Sequence, residues 1–90
     1  MKMNLFSLLE EKEFKCLVAN DCEFQMMQIV HNLKVCGVQC TEAINGMEAV
    51  DVIQRNGNSK IDIVLLDLQM PIMNGYDAAK QIIEHYNDLL

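Results

Sequence analysis

The chain has 90 residues, of which 51% are hydrophobic and 22% are charged, and its formal net charge is −6. A chain of this length forms at most one domain, and its single proline and four glycines argue against disorder and low complexity. The seven lysine and arginine residues are scattered through an acidic sequence, so we do not expect direct nucleic-acid binding.

The N-terminal segment, residues 1–13, alternates apolar and acidic side chains, and we predict a short lead-in or linker there. It contains no apolar run long enough for a signal peptide or a membrane span. We therefore expect a cytoplasmic protein without a membrane span, in which residues 14–90 form the domain.

The first predicted strand is the short apolar run Phe14–Ala19. It ends at Asn20 and Asp21, residue types that are poor strand formers and good helix starters. Helical spacing of apolar residues then predicts a helix over Glu23–Leu33, which Gly37 is well placed to stop. The apolar stripe of this helix consists of Phe24, Met27, Val30 and Leu33.

Two further strand–helix pairs follow in the sequence. The second strand is predicted over Val38–Ile44, and its lower apolar content places it nearer a sheet edge. The remaining predicted elements are a turn at Asn45-Gly46, a helix over Met47–Gln54, a loop over 56–59, a strand over Ile61–Leu66 and a helix over Tyr76–Tyr86. The residues expected to face inward are Val50 and Ile53 in the second helix, and Ala79, Ile82, Ile83 and Tyr86 in the third.

The regular alternation of strands and helices predicts an α/β fold, a doubly wound parallel sheet with helices on its faces. The third strand is apolar on both alternating faces, as expected of a strand covered on both sides. Right-handed crossovers in the strand order 2-1-3 place the first helix on one face and the other two on the opposite face. The third strand then lies at an edge, although its composition is typical of a central strand.

Acidic residues follow two of the strands, Asp21 after the first and Asp67 after the third. Sites in open α/β sheets form outside the carboxyl ends of the strands, so neighbouring strands would bring these carboxylates together. Two close carboxylates repel unless a cation lies between them, and their oxygens suit Mg²⁺. A second interpretation is that these acids only cap helices and loops, as Asp21 could do alone.

The four cysteines do not indicate a metal site. Their spacing contains no C-x-x-C pair, and the two histidines do not complete a zinc pattern. We expect reduced, partly buried thiols.

Two motifs identify a family resemblance. The segment D-L-Q-M-P-I-M-N-G over residues 67–75 resembles the D-x-x-M-P-x-M-(D/N)-G phosphorylation loop of response-regulator receiver domains. The segment A-I-N-G-M-E-A over residues 43–49 resembles the A-x-N-G-x-E-A segment that opens the second helix of the family. Residues 14–86 are similar to the first two-thirds of such a domain, most closely to receivers fused to hybrid histidine kinases. The resemblance implies a flavodoxin-like receiver fold, with residues 14–90 as a partial receiver domain.

The resemblance also implies roles for individual residues. Asp67 would accept the phosphoryl group, and Asp21, Asp67 and the backbone carbonyl of Gln69 would bind Mg²⁺. Pro71 and Gly75 would shape the loop, and proline also biases the preceding Met70 toward extended geometry. The module would receive its phosphoryl group from a histidine kinase or a histidine phosphotransfer protein. It would act as a signalling domain rather than as an enzyme, with self-phosphorylation at most.

Two departures from the family pattern bear on the function. Asn20 stands where the family usually has the first of two acids, and it would reach Mg²⁺ only through a water. We expect weaker Mg²⁺ binding and slower phosphoryl transfer as a result. The sequence also ends after the third helix, before the strands that carry the family's switch Ser/Thr and its phosphate-pairing lysine. We therefore expect either a fragment of a longer receiver or self-association through the edge of the third strand.

Two functions remain open at this point. The first is a phosphoacceptor receiver module of a two-component phosphorelay, which the intact acceptor loop favours. The second is a pseudo-receiver, a protein-interaction module without phosphoryl chemistry, which the missing switch residue and lysine favour.

Overall fold

The computed structural model describes residues 14–55 and 60–89. Its elements are β1 (Lys15–Ala19), α1 (Glu23–Val35), β2 (Gln39–Ala43), α2 (Gly46–Arg55), β3 (Ile63–Leu66) and α3 (Gly75–Leu89). The six predicted elements are confirmed in type and order, with shorter strands and longer helices than predicted. The lead-in over residues 1–13 and the loop over 56–59 lie outside the described residues.

The three strands form one parallel sheet in the order β2-β1-β3. In the central strand β1, Cys16 opposes Cys40 of β2 on one side and Ile63 of β3 on the other. The strand order is the predicted one, and β3 is an edge strand of the described sheet. Its side chains reflect this position, since Ile63 is 44% exposed and Leu65 is 41% exposed.

Two apolar layers cover the faces of the sheet, as the right-handed crossovers predict. The face covered by α2 and α3 has a buried core of Leu17, Ala19, Ala43, Ala49, Val50, Ile53, Ala78 and Ile82. The face covered by α1 has a smaller core of Cys16, Val18, Met26, Val30 and Val38. The inward positions predicted for the second helix, Val50 and Ile53, are therefore confirmed.

The predicted apolar stripe of α1 is wrong at its N-terminal end. Phe24 and Met27 are 67% and 69% exposed, whereas Met26 and Val30 are buried. The sequence of α1 contains two overlapping stripes with helical spacing, and spacing alone does not choose between them. The structure buries the stripe that contains Met26 and Val30.

The predicted inward face of α3 is correct at Ile82 and wrong at Ile83 and Tyr86, which are 59% and 39% exposed. The buried residues of the helix are Gly75, Ala78 and Ile82. This rotation follows from a close approach at the helix start, because a Cβ atom at Gly75 would overlap the backbone carbonyl of Asp67. Only glycine lets the first turn of α3 lie directly against the end of β3.

We predict that Gly75→Ala destabilises the fold, because the added methyl group must push α3 away from the Asp67 carbonyl. The expected loss is about 1–3 kcal/mol of the free energy of unfolding, measured by urea denaturation. Tyr76→Ala is the control, since Tyr76 is the next residue of the same helix and is 73% exposed. A Gly75→Ala variant as stable as the wild-type chain would contradict the close approach.

Candidate functional site

The carboxyl ends of β1 and β3 bring Asn20 and Asp67 to the same edge of the sheet. The Asp67 N–H donates to the Ala19 carbonyl at 3.0 Å, which fixes the end of β3 beside the end of β1. Ala19 opposes Leu66 in the strand register, so Asn20 and Asp67 are the next residues on the two strands. Both line one open cavity of about 400 Å³, together with Gln25 of α1.

Asp21 lies on the other side of Asn20. It is exposed and lines a second cavity of about 300 Å³ with Glu23 and Glu42, between the start of α1 and the end of β2. Asn20 lines both cavities and so separates the two predicted Mg²⁺-binding carboxylates. The structure therefore brings Asp21, Asn20 and Asp67 to one edge, with Asn20 in the middle.

The oxygen donors predicted at this edge are of the kind that Mg²⁺ takes, rather than those of a metal bound entirely by protein side chains. Within residues 14–55 and 60–89, no group of three or more His, Cys, Asp or Glu side chains is arranged to hold a metal ion. Mg²⁺ usually keeps several waters and takes one or two carboxylates plus phosphate oxygens. The set predicted from the sequence, Asp21, Asp67 and the Gln69 carbonyl, would be an oxygen-only set of that kind and stays a prediction.

The Asn20 side chain is already engaged in the fold. It is only 7% exposed, its Oδ1 accepts from the Cys22 N–H at 2.8 Å, and its Nδ2 donates to Gln25 Oε1 at 3.1 Å. The first bond supports the start of α1, because the Cys22 N-cap makes no side-chain capping bond of its own. An aspartate would have a second, charged oxygen for a cation, whereas the carboxamide has one neutral oxygen, which already accepts the bond from Cys22.

The loop that follows β3 is held at both ends. The Gln69 N–H donates to Asp67 Oδ1 at 3.3 Å, and the Gly75 N–H donates to the Leu68 carbonyl at 3.1 Å. Asn74 caps α3, since its Oδ1 accepts from the Asp77 N–H at 2.8 Å. These bonds place the Asp67 carboxylate at the edge of the sheet.

The second sequence motif supports this loop from α2. Asn45 is buried, and its Oδ1 accepts from the Glu48 N–H at 2.8 Å, while Glu48 Oε1 accepts from the Ile44 N–H at 3.3 Å. This reciprocal pair resembles a capping box, where sequence reasoning predicted only a turn. The Gly46 N–H then donates to the Met73 carbonyl at 2.9 Å, which ties α2 to the acceptor loop.

Ile72 has a strained backbone that sequence reasoning missed. Its φ is 70°, and the Met73 N–H donates across it to the Pro71 carbonyl at 2.7 Å, which forms a γ-turn with positive φ. A β-branched residue rarely adopts this conformation. The Ile72 side chain is also 76% exposed, so burial does not compensate for the strain. In the sequence, a tight turn at this point is indicated only by the nearby Pro71 and Gly75.

The cysteines lie away from the sheet edge that carries Asn20 and Asp67, apart from the exposed Cys22. Burial and the neighbouring Cys40 raise the pKa of the Cys16 thiol to about 11, and burial also raises the pKa of Cys40. Both are therefore neutral thiols at neutral pH, and both belong to the apolar layer under α1.

Comparisons with known proteins point to one family. The family described as "Response regulator receiver domain" matches residues 16–89. The chain is 40% identical over 68 residues to the autoinducer 1 sensor kinase/phosphatase LuxN of Vibrio campbellii. The matched stretch covers 76% of this chain and 8% of LuxN.

Solved structures show the same similarity. A chain of the CheX–CheY–BeF₃–Mg²⁺ complex from Borrelia burgdorferi has a TM-score of 0.76 and 32% identity, covering 83% of this chain and 56% of that one. A chain of the Saccharomyces cerevisiae complex between the histidine phosphotransfer protein Ypd1 and the receiver domain of Ssk1 has a TM-score of 0.76 and 25% identity. It covers 84% of this chain and 50% of that one. The chain thus spans a small part of LuxN and about half of the solved chains.

We predict that Ile72→Asn stabilises the fold by about 1 kcal/mol, because asparagine tolerates the left-handed backbone better than isoleucine. The measurement is the midpoint of urea unfolding. Ile44→Asn is the matched control, since Ile44 is 60% exposed and lies outside the positive-φ position. Equal shifts in the two variants would show that the gain comes from replacing an exposed apolar side chain with a polar one, and not from the turn.

We predict that Asn20→Asp tightens Mg²⁺ binding by roughly tenfold, because it adds a charge and a second oxygen between Asp21 and Asp67. Isothermal titration calorimetry with MgCl₂ measures the affinity. Asn45→Asp is the control, since it makes the same chemical change at another buried asparagine that caps α2. Indistinguishable affinities of Asn20→Asp and the wild-type chain would contradict the prediction.

Proposed function

The chain belongs to the response regulator receiver domain family, and we propose that it accepts a phosphoryl group on Asp67 from a phosphohistidine. Receiver domains are signalling modules of two-component systems rather than enzymes. The observation that carries the proposal is the position of Asp67 at the open carboxyl edge of the sheet, on a loop fixed by the starts of α2 and α3.

The proposed reaction is a direct transfer between two side chains. The Gln69 N–H holds Oδ1 of Asp67, which leaves Oδ2 to attack phosphorus. A P–O bond forms on Asp67, the P–N bond to the donor histidine breaks, and the imidazole leaves with the electron pair and takes up a proton. Asp21, Asp67 and the Gln69 carbonyl would hold Mg²⁺, which would offset the charge of the phosphoryl oxygens.

The proposed donor is a histidine kinase or a histidine phosphotransfer protein. The solved complex of Ypd1 with the receiver domain of Ssk1 supports such a partner by similarity, and the Mg²⁺ of the CheX–CheY–BeF₃ complex supports the cation. The proposal places the module in the cytoplasm, where phosphohistidine is made from ATP. None of the helices among the described residues has the length and apolar character needed to cross a membrane.

A second candidate function is a pseudo-receiver that binds partners without phosphoryl chemistry. Asn20 favours it, because a carboxamide bonded to Cys22 and Gln25 brings no charge to the Mg²⁺ site. Self-association through the β3 edge, where Ile63 and Leu65 are partly exposed, belongs to either candidate. The predicted boundary between residues 13 and 14 also stays a prediction.

We predict that incubation with acetyl phosphate and Mg²⁺ adds one phosphoryl group to the chain, seen by intact-mass spectrometry. Asp67→Asn removes the attacking carboxylate and is expected to stay unmodified. Asp77→Asn is the control for the loss of one carboxylate, since Asp77 lies at the start of α3, beyond the acceptor loop.

Circular dichroism of each variant accompanies the mass measurement. A folded wild-type chain that gains no phosphoryl group would overturn the acceptor function and leave the pseudo-receiver. Modification of Asp67→Asn to the same extent as the wild-type chain would place the acceptor elsewhere.

A further inference from the structure

The orientation of the Asn20 carboxamide is determined by its neighbours. A backbone N–H can only donate, so the atom that faces the Cys22 N–H at 2.8 Å is the oxygen Oδ1. The amino group Nδ2 therefore faces Gln25, and Gln25 accepts with its own oxygen at 3.1 Å. One backbone donor thus fixes the orientation of two side-chain amides in series.

Among the described residues, this chain of bonds leaves the amino group of Gln25 available to donate a hydrogen bond. Because Oε1 of Gln25 is bonded to Asn20, Nε2 is the group that remains for another partner. Gln25 is an exposed residue of α1, and it lines the cavity of about 400 Å³ that Asn20 and Asp67 also line. At this side of Asp67 the site therefore offers N–H donors instead of a second carboxylate.

Such a donor suits an anion better than a cation. A phosphoryl group on Asp67 brings negatively charged oxygens that accept hydrogen bonds, and bonds to charged acceptors are stronger than neutral ones. A carboxylate at the same place would repel these oxygens and attract Mg²⁺. We propose that Gln25 is a phosphoryl-binding residue whose Nε2 donates to an oxygen of the phosphoryl group on Asp67. This inference rests on the proposed function of Asp67.

The competing explanation is that Gln25 only supports the start of α1 through Asn20. The two explanations differ in how cation and anion binding respond to substitution. If Gln25 binds the phosphoryl group, its substitution lowers the affinity for an anion on Asp67 but not the affinity for Mg²⁺ alone. If Gln25 only supports α1, its substitution lowers both affinities and the Tm.

The experiment compares Mg²⁺ alone with beryllofluoride plus Mg²⁺ on the full chain, by calorimetry. Beryllofluoride forms a bond to a carboxylate oxygen, and its fluorines stand in for the phosphoryl oxygens. Gln25→Met removes the donor with little change in size, and is expected to weaken beryllofluoride binding roughly tenfold while Mg²⁺ affinity stays within about twofold. Gln28→Met is the matched control, an exposed glutamine of the same helix that is expected to change neither affinity.

Gln25→Glu sharpens the test, because its carboxylate still accepts the Asn20 amino group and so preserves the support of α1. We expect it to tighten Mg²⁺ binding and to weaken beryllofluoride binding, two shifts of opposite sign. Unchanged beryllofluoride affinity in both Gln25 variants would overturn the inference. Equal losses of Mg²⁺ and beryllofluoride affinity in Gln25→Met, together with a lower Tm, would also overturn it.

The wild-type chain separates this inference from the proposed function. Failure of the wild-type chain to bind beryllofluoride with Mg²⁺ would overturn the acceptor role of Asp67, and the role of Gln25 with it. Normal wild-type binding with unaffected Gln25 variants would overturn the role of Gln25 alone.

Discussion

The site depends on the contact between the first turn of α3 and the backbone carbonyl of Asp67. Gly75 has no Cβ, so the helix starts directly against the peptide carbonyl of Asp67, the proposed acceptor. That contact sets the rotation of α3, with Ala78 and Ile82 turned toward the sheet. Residues 68–74 connect Asp67 to α3, and Ile72 within them has positive φ. Gly46 makes the equivalent approach from α2 to Met73.

The acceptor edge combines two kinds of polar group in separate places. The carboxylate of Asp21 lies on the α1–β2 side, and the carboxamide of Gln25 lies on the side of Asp67. Asn20 lies between them and lines both cavities. A pair of acids would have given both sides negative charge. The change from acid to amide at position 20 therefore does more than remove one charge, because it also turns a hydrogen-bond donor toward Gln25.

The sequence predicted the elements and the strand order, because these follow from periodicity and from the handedness of crossovers. Asp21 and Asp67 follow neighbouring strands as expected, but they line different cavities, and their joint binding of Mg²⁺ stays a prediction. It did not predict which faces of α1 and α3 are buried. Phe24 and Met26 differ by two positions and both belong to apolar stripes, so the choice depends on tertiary contacts that spacing does not encode. The Asn20–Gln25 bond and the turn at Ile72 were not predicted for the same reason, since both depend on tertiary contacts.

The central position of β1 has a consequence for the order in which the domain forms. The β1–β3 pairing joins groups 47 positions apart in the chain, as in the bond from the Lys15 N–H to Asp62 Oδ2. Pairings of such long range form slowly, because a large loop must close before any contact stabilises it. The β1–β2 pairing closes a shorter loop, since Lys15 opposes Gln39. The position of Asp67 beside the end of β1 therefore depends on the longer-range of the two strand pairings.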